Sequence, residues 1–360
     1  MPARVVPASV RRLKTVVSER PVTLVLGAGV SASRGVPDWR VMTRKLWQTA
    51  FATELPVWLR EHSDALERVK EWARANESPE FAERLCVAEP HPLADQMALE
   101  LSALRIGVSP GKRRRFVAAL RGELYPAAPA RKRADTLSVL ARLLSTEQRR
   151  DARRVVRVIT FNADDHLETE ANGSHHPKRD PVLWPVSRES SHARTAAGAN
   201  GRPPLPVYHL HGFLPRAKAR MIWQQAADTL VFTDAQYWAT VASPLSFANR
   251  VFSHALHDSA CVFIGLSMRD VNILRWLGVR YNAIAHDKTS QRAMLVRQDE
   301  KAMQRSLRLA LDRHFWVRPD RDDAERLVSM LVRERGVTSV PLERWGAPFE
   351  ALLTTCFGRF

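Results

Sequence analysis

Cysteine is scarce. The 360 residues hold three, Cys86, Cys261 and Cys356, far apart along the chain. That spacing excludes a disulfide framework, and without a C-x-x-C pair there is no cysteine-built structural zinc. Each thiol reads as a small buried apolar residue. Long apolar runs are missing as well. The densest, Val22–Val30, is broken by Gly27 and Gly29, far short of the ~20 residues a membrane span needs. The opening MPARVVPASVRRLK is charged but has no apolar region after it and no small-residue cleavage site, so the expected location is cytoplasmic, with no membrane partner. Aromatics are thin where positive charge is dense. Residues 112–154 carry thirteen Lys/Arg against four Asp/Glu in a chain of net charge +17, yet only Phe116 and Tyr125 are aromatic there. This suits solvated helix faces better than a stacking groove for single-stranded nucleic acid. Nucleic acid is expected only indirectly or through this basic region.

What is present is enough apolar residue, 45%, to bury a core. Val22–Leu26, Val155–Phe161, Val207–Leu210, Ala260–Leu266, Ala293–Val296 and Val337–Val340 read as buried strands. Thr233–Asp258, Val271–Ala285, Asp322–Arg335 and Pro348–Phe357 carry helical periodicity between them. Strands alternating with helices predict an α/β fold with a Rossmann-like, doubly wound parallel sheet. Residues 1–20 read as a basic leader, 21–44 and 131–360 as the core, 45–130 as a helical insertion, and 172–206, rich in Gly, Ser, Pro, Ala and His, as a mobile loop within the core.

Chemistry collects at the strand ends. Gly27-Ala28-Gly29-Val30-Ser31-Ala32 follows the first strand and fits the relaxed G-x-G-x-x-G/A pattern, in which glycines admit a pyrophosphate to a helix amino terminus. About twenty residues on, Lys45-Leu46-Trp47-Gln48-Thr49 supplies neither the strand nor the acid that a dehydrogenase uses to hold a ribose. Hydride transfer is therefore disfavoured. Thr160-Phe161-Asn162-Ala163-Asp164 ends the second strong strand, His211-Gly212 ends the short strand VYHL, and Gly265-Leu266-Ser267 with Asp270 ends the third strong strand. His209 and His211 compete, because residues two apart on a strand share a face. His175 and His176 have no third metal ligand at useful spacing, so no metal site is expected.

The run Gly27–Arg40, GAGVSASRGVPDWR, resembles the sirtuin signature, in which G-A-G-x-S leads to G-I-P-D-F-R. The other blocks resemble that family's T-x-N-x-D, H-G and G-x-S-x-x-D, in the family's order. The resemblance covers roughly 20–44 and 135–300, leaving 45–130 outside. Lacking the four-cysteine zinc module of protein-deacylating sirtuins, the chain looks closer to zinc-less bacterial sirtuin-like NADases of antiphage defence.

The resemblance implies NAD⁺ as substrate, with no metal. It implies Asn162, His211 and Asp164 as catalytic residues. Gly27, Ala28, Gly29, Ser31, Pro37, Asp38, Trp39, Arg40, Thr160, Gly265, Ser267 and Asp270 would hold the dinucleotide. Asn162 would position the ribose and attacking water, Asp164 would sit on the nicotinamide side, and His211, chosen over His209 for its following glycine, would act as base. The implied activity is glycohydrolysis of NAD⁺ to nicotinamide and ADP-ribose. The alternatives are NAD⁺-dependent protein deacylation, or a non-catalytic sensor of NAD⁺ or ADP-ribose. By the same analogy the expected partners are further copies of the chain or a HerA-type ATPase.

Overall fold

The computed structural model describes residues 6–38, 42, 110–126, 135–173, 181–188, 202–216, 229–232, 236–237, 240, 242–294, 312–319 and 323–360. The chain divides into two compact units. One comprises Met1–Val36, Ala127–Leu230 and Ala239–Phe360, the other Pro37–Pro126 and Val231–Trp238.

The first unit is built on a sheet of seven strands, all parallel: β1 (Val22–Leu26), β2 (Val155–Thr160), β3 (Leu183–Val186), β4 (Leu205–His209), β5 (Ala260–Ile264), β6 (His314–Pro319) and β7 (Val337–Leu342). Their order is β3-β4-β2-β1-β5-β6-β7. The architecture is a Rossmann-like α/β fold. Every residue of β1 and β5 is buried, as the unbroken runs VTLVL and ACVFI require of strands covered on both faces. Thr23 is the polar exception, and its hydroxyl meets Ser259 Oγ at 2.6 Å.

Helices cover both faces. One face packs Leu24, Leu26, Val158 and Val207 against α1 (Ala8–Glu19), α3 (Thr136–Arg149), α4 (His166–Asn172) and α8 (Ala347–Phe357). The other packs Val25, Ile159 and Phe263 against α5 (Phe247–Asp258), α6 (Val271–Met294) and α7 (Asp323–Arg333). Burying one such aliphatic or aromatic side chain is worth about 1.5–3 kcal/mol, so these two apolar layers hold the unit together. Asp135 and Ser246 cap α3 and α5 by accepting the N–H groups of Ser138 and Asn249. In the second unit, α2 (Pro110–Leu124) buries Phe116 and Leu120, and Phe116 meets Phe232 edge-on at 6.5 Å. Among the described residues no helix is long and apolar enough to cross a membrane.

The basic leader 1–20 contains α1, which buries Val10, Leu13 and Val17 on the core and leaves its charges outward. Two expectations are corrected. The segment 172–206 is not all loop, because Leu183–Val186 pairs with β4 as the outermost strand. Pro185 hid it, yet an edge strand tolerates a residue without an N–H. Ala293–Val296 is no strand at its start, since α6 runs through to Met294. The sheet continues instead through His314–Pro319, a run whose charged and proline residues disguised it. Here Arg318 is buried, lying over the Trp316 ring and pairing with Glu325 at 3.3 Å.

Candidate active site

β1 lies between β2 and β5, so the chain leaves it toward one side of the sheet and later returns on the other. That reversal opens a crevice at the strands' carboxyl ends, where ligands of such sheets bind. The loops after β1, β2, β4 and β5 form its rim.

The turns after β1 and β5 interlock. Gly27 N–H donates to Ile264 O and Gly29 N–H to Gly265 O, both at 3.0 Å. A Cβ on Gly27 would stand 2.6 Å from Gly265 O, and one on Gly265, at φ +69°, would stand 2.7 Å from Val30 N. This close approach explains the glycines. It also commits the Gly27 and Gly29 N–H groups to β5, and the segment that follows is a seven-residue 3-10 turn, Ala28–Arg34, rather than an α-helix. The expected pyrophosphate seat on an α-helix amino terminus is therefore corrected: what reaches solvent is the start of the 3-10 turn, where Ala28 and Gly29 are exposed. Arg34 anchors the turn from beneath. It is buried and pairs with Asp135 and Glu170 at 3.2 Å each and with Ser138 Oγ at 3.0 Å. No sequence pattern singled it out.

Beyond β2, Asn162 sits at the centre of a polar group. Its Nδ2 donates to Gly27 O at 3.1 Å and to Ser31 Oγ at 3.2 Å, and its N–H donates to Thr160 Oγ1 at 3.0 Å. Ser31 passes its own hydroxyl to Asp164, 3.0 Å from Oδ2, while Asp164 also accepts from His166 N. Among the described residues no donor engages Asn162 Oδ1. Ser31, Thr160 and Asp164 are buried, whereas Asn162 is half-buried. Asp164, expected on the nicotinamide side, is thus turned inward to hold Ser31 and the start of α4.

The two histidines do not share a pocket. β4 ends at His209, and Gly212, at φ +85°, turns the chain so that its N–H donates to His209 O. His209 points toward α4. Its Nδ1 lies 2.8 Å from Asn162 O and its Nε2 lies 2.7 Å from Glu168 Oε1. His211 points to the opposite side, half-buried, with its ring edge-on to Phe161 at 5.1 Å. Phe161 in turn packs on Phe252 and Trp276. Burial lowers the His211 pKa from 6.5, and the nearby Asp270 carboxylate offsets part of that effect. The imidazole is neutral near pH 7 and able to take a proton.

Around Asp270, the carboxylate caps α6 by accepting from Asn272 N at 2.8 Å and from Ile273 N at 3.3 Å. Ser267 is exposed, and Met268 adopts φ +54°, the only non-glycine with positive φ among the described residues. The loops after β2 and β4 are clamped together. Leu214 N donates to Ala163 O at 2.7 Å, and Arg216 donates to both oxygens of Asp165 and reaches His166 Nδ1 at 2.8 Å. Asp165 and Arg216 were not predicted, since nothing local marks a pair so far apart in the chain. Pro37 and Asp38 belong to the second unit, and Trp39 and Arg40 lie outside the described residues, as do His175 and His176.

The fold defines a Rossmann-like α/β protein whose polar groups gather at the topological switch point of the sheet. Residues 156–327 match the SIR2-like domain family, which includes NAD⁺-dependent enzymes. The match spans the blocks at Thr160–Asp164, His211-Gly212 and Gly265–Asp270 but not Gly27–Arg40. No curated protein matches the chain.

Proposed function

We propose that the chain is an NAD⁺ glycohydrolase that breaks the nicotinamide–ribose bond, and that it serves as an NAD⁺-depleting effector in antiphage defence. The observation that carries the reading is Asn162: its amide nitrogen is fixed to Gly27 O and Ser31 Oγ, which leaves Oδ1 as an oriented acceptor on the rim. The donor set suits the substrate. The exposed start of the 3-10 turn at Ala28 and Gly29 and the Ser267 hydroxyl offer uncharged contacts to phosphates and ribose, and the cationic nicotinamide ring needs no anion buried against it.

In this reading Oδ1 of Asn162 accepts a hydrogen bond from the attacking water and aims its lone pair at the anomeric carbon. His211, neutral because burial disfavours its charged form, takes the water's proton. The C–N bond breaks as the C–O bond forms, and neutral nicotinamide departs with its electron pair, leaving ADP-ribose. Asp270 stabilises the imidazolium that results.

Purified protein incubated with NAD⁺ is expected to yield nicotinamide and ADP-ribose by chromatography. Asn162→Ala is expected to lower kcat by about 10²-fold or more, the size of loss seen when one preorganised polar group is removed from a transition state. Nicotinamide release that required an acylated peptide would replace this reading with deacylation. Binding of NAD⁺ with no turnover would replace it with a sensor.

A further inference from the structure

Beneath Asn162 lies a polar arrangement that the proposed chemistry does not use. Glu168, from the first turn of α4, and His209, the last residue of β4, are both buried, with 3% and 1% of their surface exposed. The His209 ring is wedged beside Phe213, centroids 4.5 Å apart. It spans the gap between Glu168 Oε1, 2.7 Å away, and the main-chain oxygen of Asn162, 2.8 Å away. With Ser31, Thr160, Asn162 and Asp164 the pair lines a cavity of about 10 Å³, room for about one water molecule. Among the described residues Glu168 Oε2 has no hydrogen-bond partner.

Donor and acceptor chemistry fixes the protons. The Asn162 carbonyl can only accept, so His209 Nδ1 must carry hydrogen. Nε2 then either donates to a Glu168 carboxylate or accepts from a Glu168 carboxylic acid. In both cases one proton is retained between Nε2 and Oε1, and Nδ1–H stays aimed at Asn162. Burying two ionisable groups is costly, and neither reaches the rim to touch a ligand.

We infer that Glu168 and His209 are positioning residues for Asn162: the glutamate fixes the imidazole, and the imidazole fixes the peptide that sets where the Asn162 amide points. The two ends of Asn162 are then held independently, the carbonyl by His209 and the amide by Gly27 and Ser31. A side chain that aims water at a carbon needs this, because small misplacements of a reacting group are expensive in rate. The surroundings agree. The Glu168 carboxylate, its hydrogen bond and the Asn162 carbonyl outweigh burial and raise the His209 pKa above 6.5.

The role in catalysis rests on the glycohydrolase reading, whereas the geometry does not, so two measurements separate them. The first is NAD⁺ hydrolysis by Glu168→Leu and Glu168→Gln. Glutamine can donate to Nε2 and preserve the imidazole's orientation, while leucine cannot. The expected result is a fall in kcat of tenfold or more for E168L with KM within twofold, and kcat within about threefold of wild type for E168Q. Equal kcat in wild type and E168L, per folded molecule, would overturn the inference. The second is a ¹⁵N spectrum of full-length wild-type protein labelled at histidine. A histidine with protonated, slowly exchanging Nδ1–H is expected, its assignment fixed by its loss in His209→Gln. A bare Nδ1 at His209 would overturn the inference whether or not NAD⁺ is hydrolysed. Absence of any NAD⁺ turnover by wild type, with that Nδ1–H present, would remove the glycohydrolase reading and leave the fixing of Asn162 standing.

Discussion

Gly212 offers a measurable link between backbone conformation and the rim. Its φ is +85°, and a Cβ there would stand 2.3 Å from Thr229 O and 2.6 Å from Leu230 Cα, both backbone atoms that cannot swing aside. Gly212→Ala therefore combines two costs. Left-handed backbone with a Cβ costs roughly 1–2 kcal/mol, and forcing an extra methyl into a filled site adds about 1–3 kcal/mol. Gly173 isolates the first: its φ is +71°, but among the described residues nothing lies within 4 Å of an added Cβ. Urea unfolding should show Gly173→Ala less stable than wild type by roughly 1–2 kcal/mol, and Gly212→Ala less stable again by about 1–3 kcal/mol. NAD⁺ turnover should be untouched in the first variant and depressed in the second, because relief of the clash displaces His211. If both variants lose equal stability, the packing of the turn against 229–230 is refuted.

Other expectations follow from buried charge and thiols. Arg34→Ala strands Asp135 and Glu170 without their cation, and breaking a buried pair in this way costs about 3–5 kcal/mol; Arg34→Lys should recover only part, since an ammonium cannot reproduce the guanidinium's several contacts. His211 and His314 have pKa values pushed below 6.5, chiefly by burial. Below pH 6.5 the unfolded chain thus binds more protons at these sites, and stability should fall with falling pH, as urea midpoints would show. His209, shifted the other way, opposes this by losing its contribution as pH rises through its folded pKa. His314→Gln, which can still accept the Cys261 N–H, should flatten the acid limb; an unchanged slope would assign it elsewhere. Burial pushes the Cys261 thiol up to about 12 and Cys356 up to about 11, so both should resist a disulfide reagent at pH 8 in the native protein and react on denaturation.

The parts of the fold that sequence made plain are those where one force dominates. VTLVL and ACVFI are apolar but for Thr23 because both faces of β1 and β5 are covered, and their shortness and β-branched content before a glycine mark them as strands. β6 escaped notice because its charged residues are buried through partners outside the strand, His314 by Cys261 N far back in the chain and Arg318 by Glu325 seven residues on. Among candidate site residues, Asn162, Ser31, Asp164 and Thr160 do come together in one hydrogen-bonded group, and His211 lies near Asp270. Strand alternation misled at His209 and His211, since β4 ends between them and Gly212 sends them to opposite faces. Glu168 was invisible for a simpler reason: its partner is brought to it only by the β2–β4 pairing.

The central place of β1 also has a consequence for synthesis. Val22 pairs with Val155 on one side and with Ala260 on the other, so the earliest strand to leave the ribosome waits for the rest of the sheet. At ~5–20 residues per second, that wait is on the order of ten seconds or more. Until β5 emerges, Gly27 has no Ile264 carbonyl to meet and the crevice has only one wall. A nascent chain carries Asn162 and His211 but not the rim around them, which is complete only once translation has passed the third strong strand.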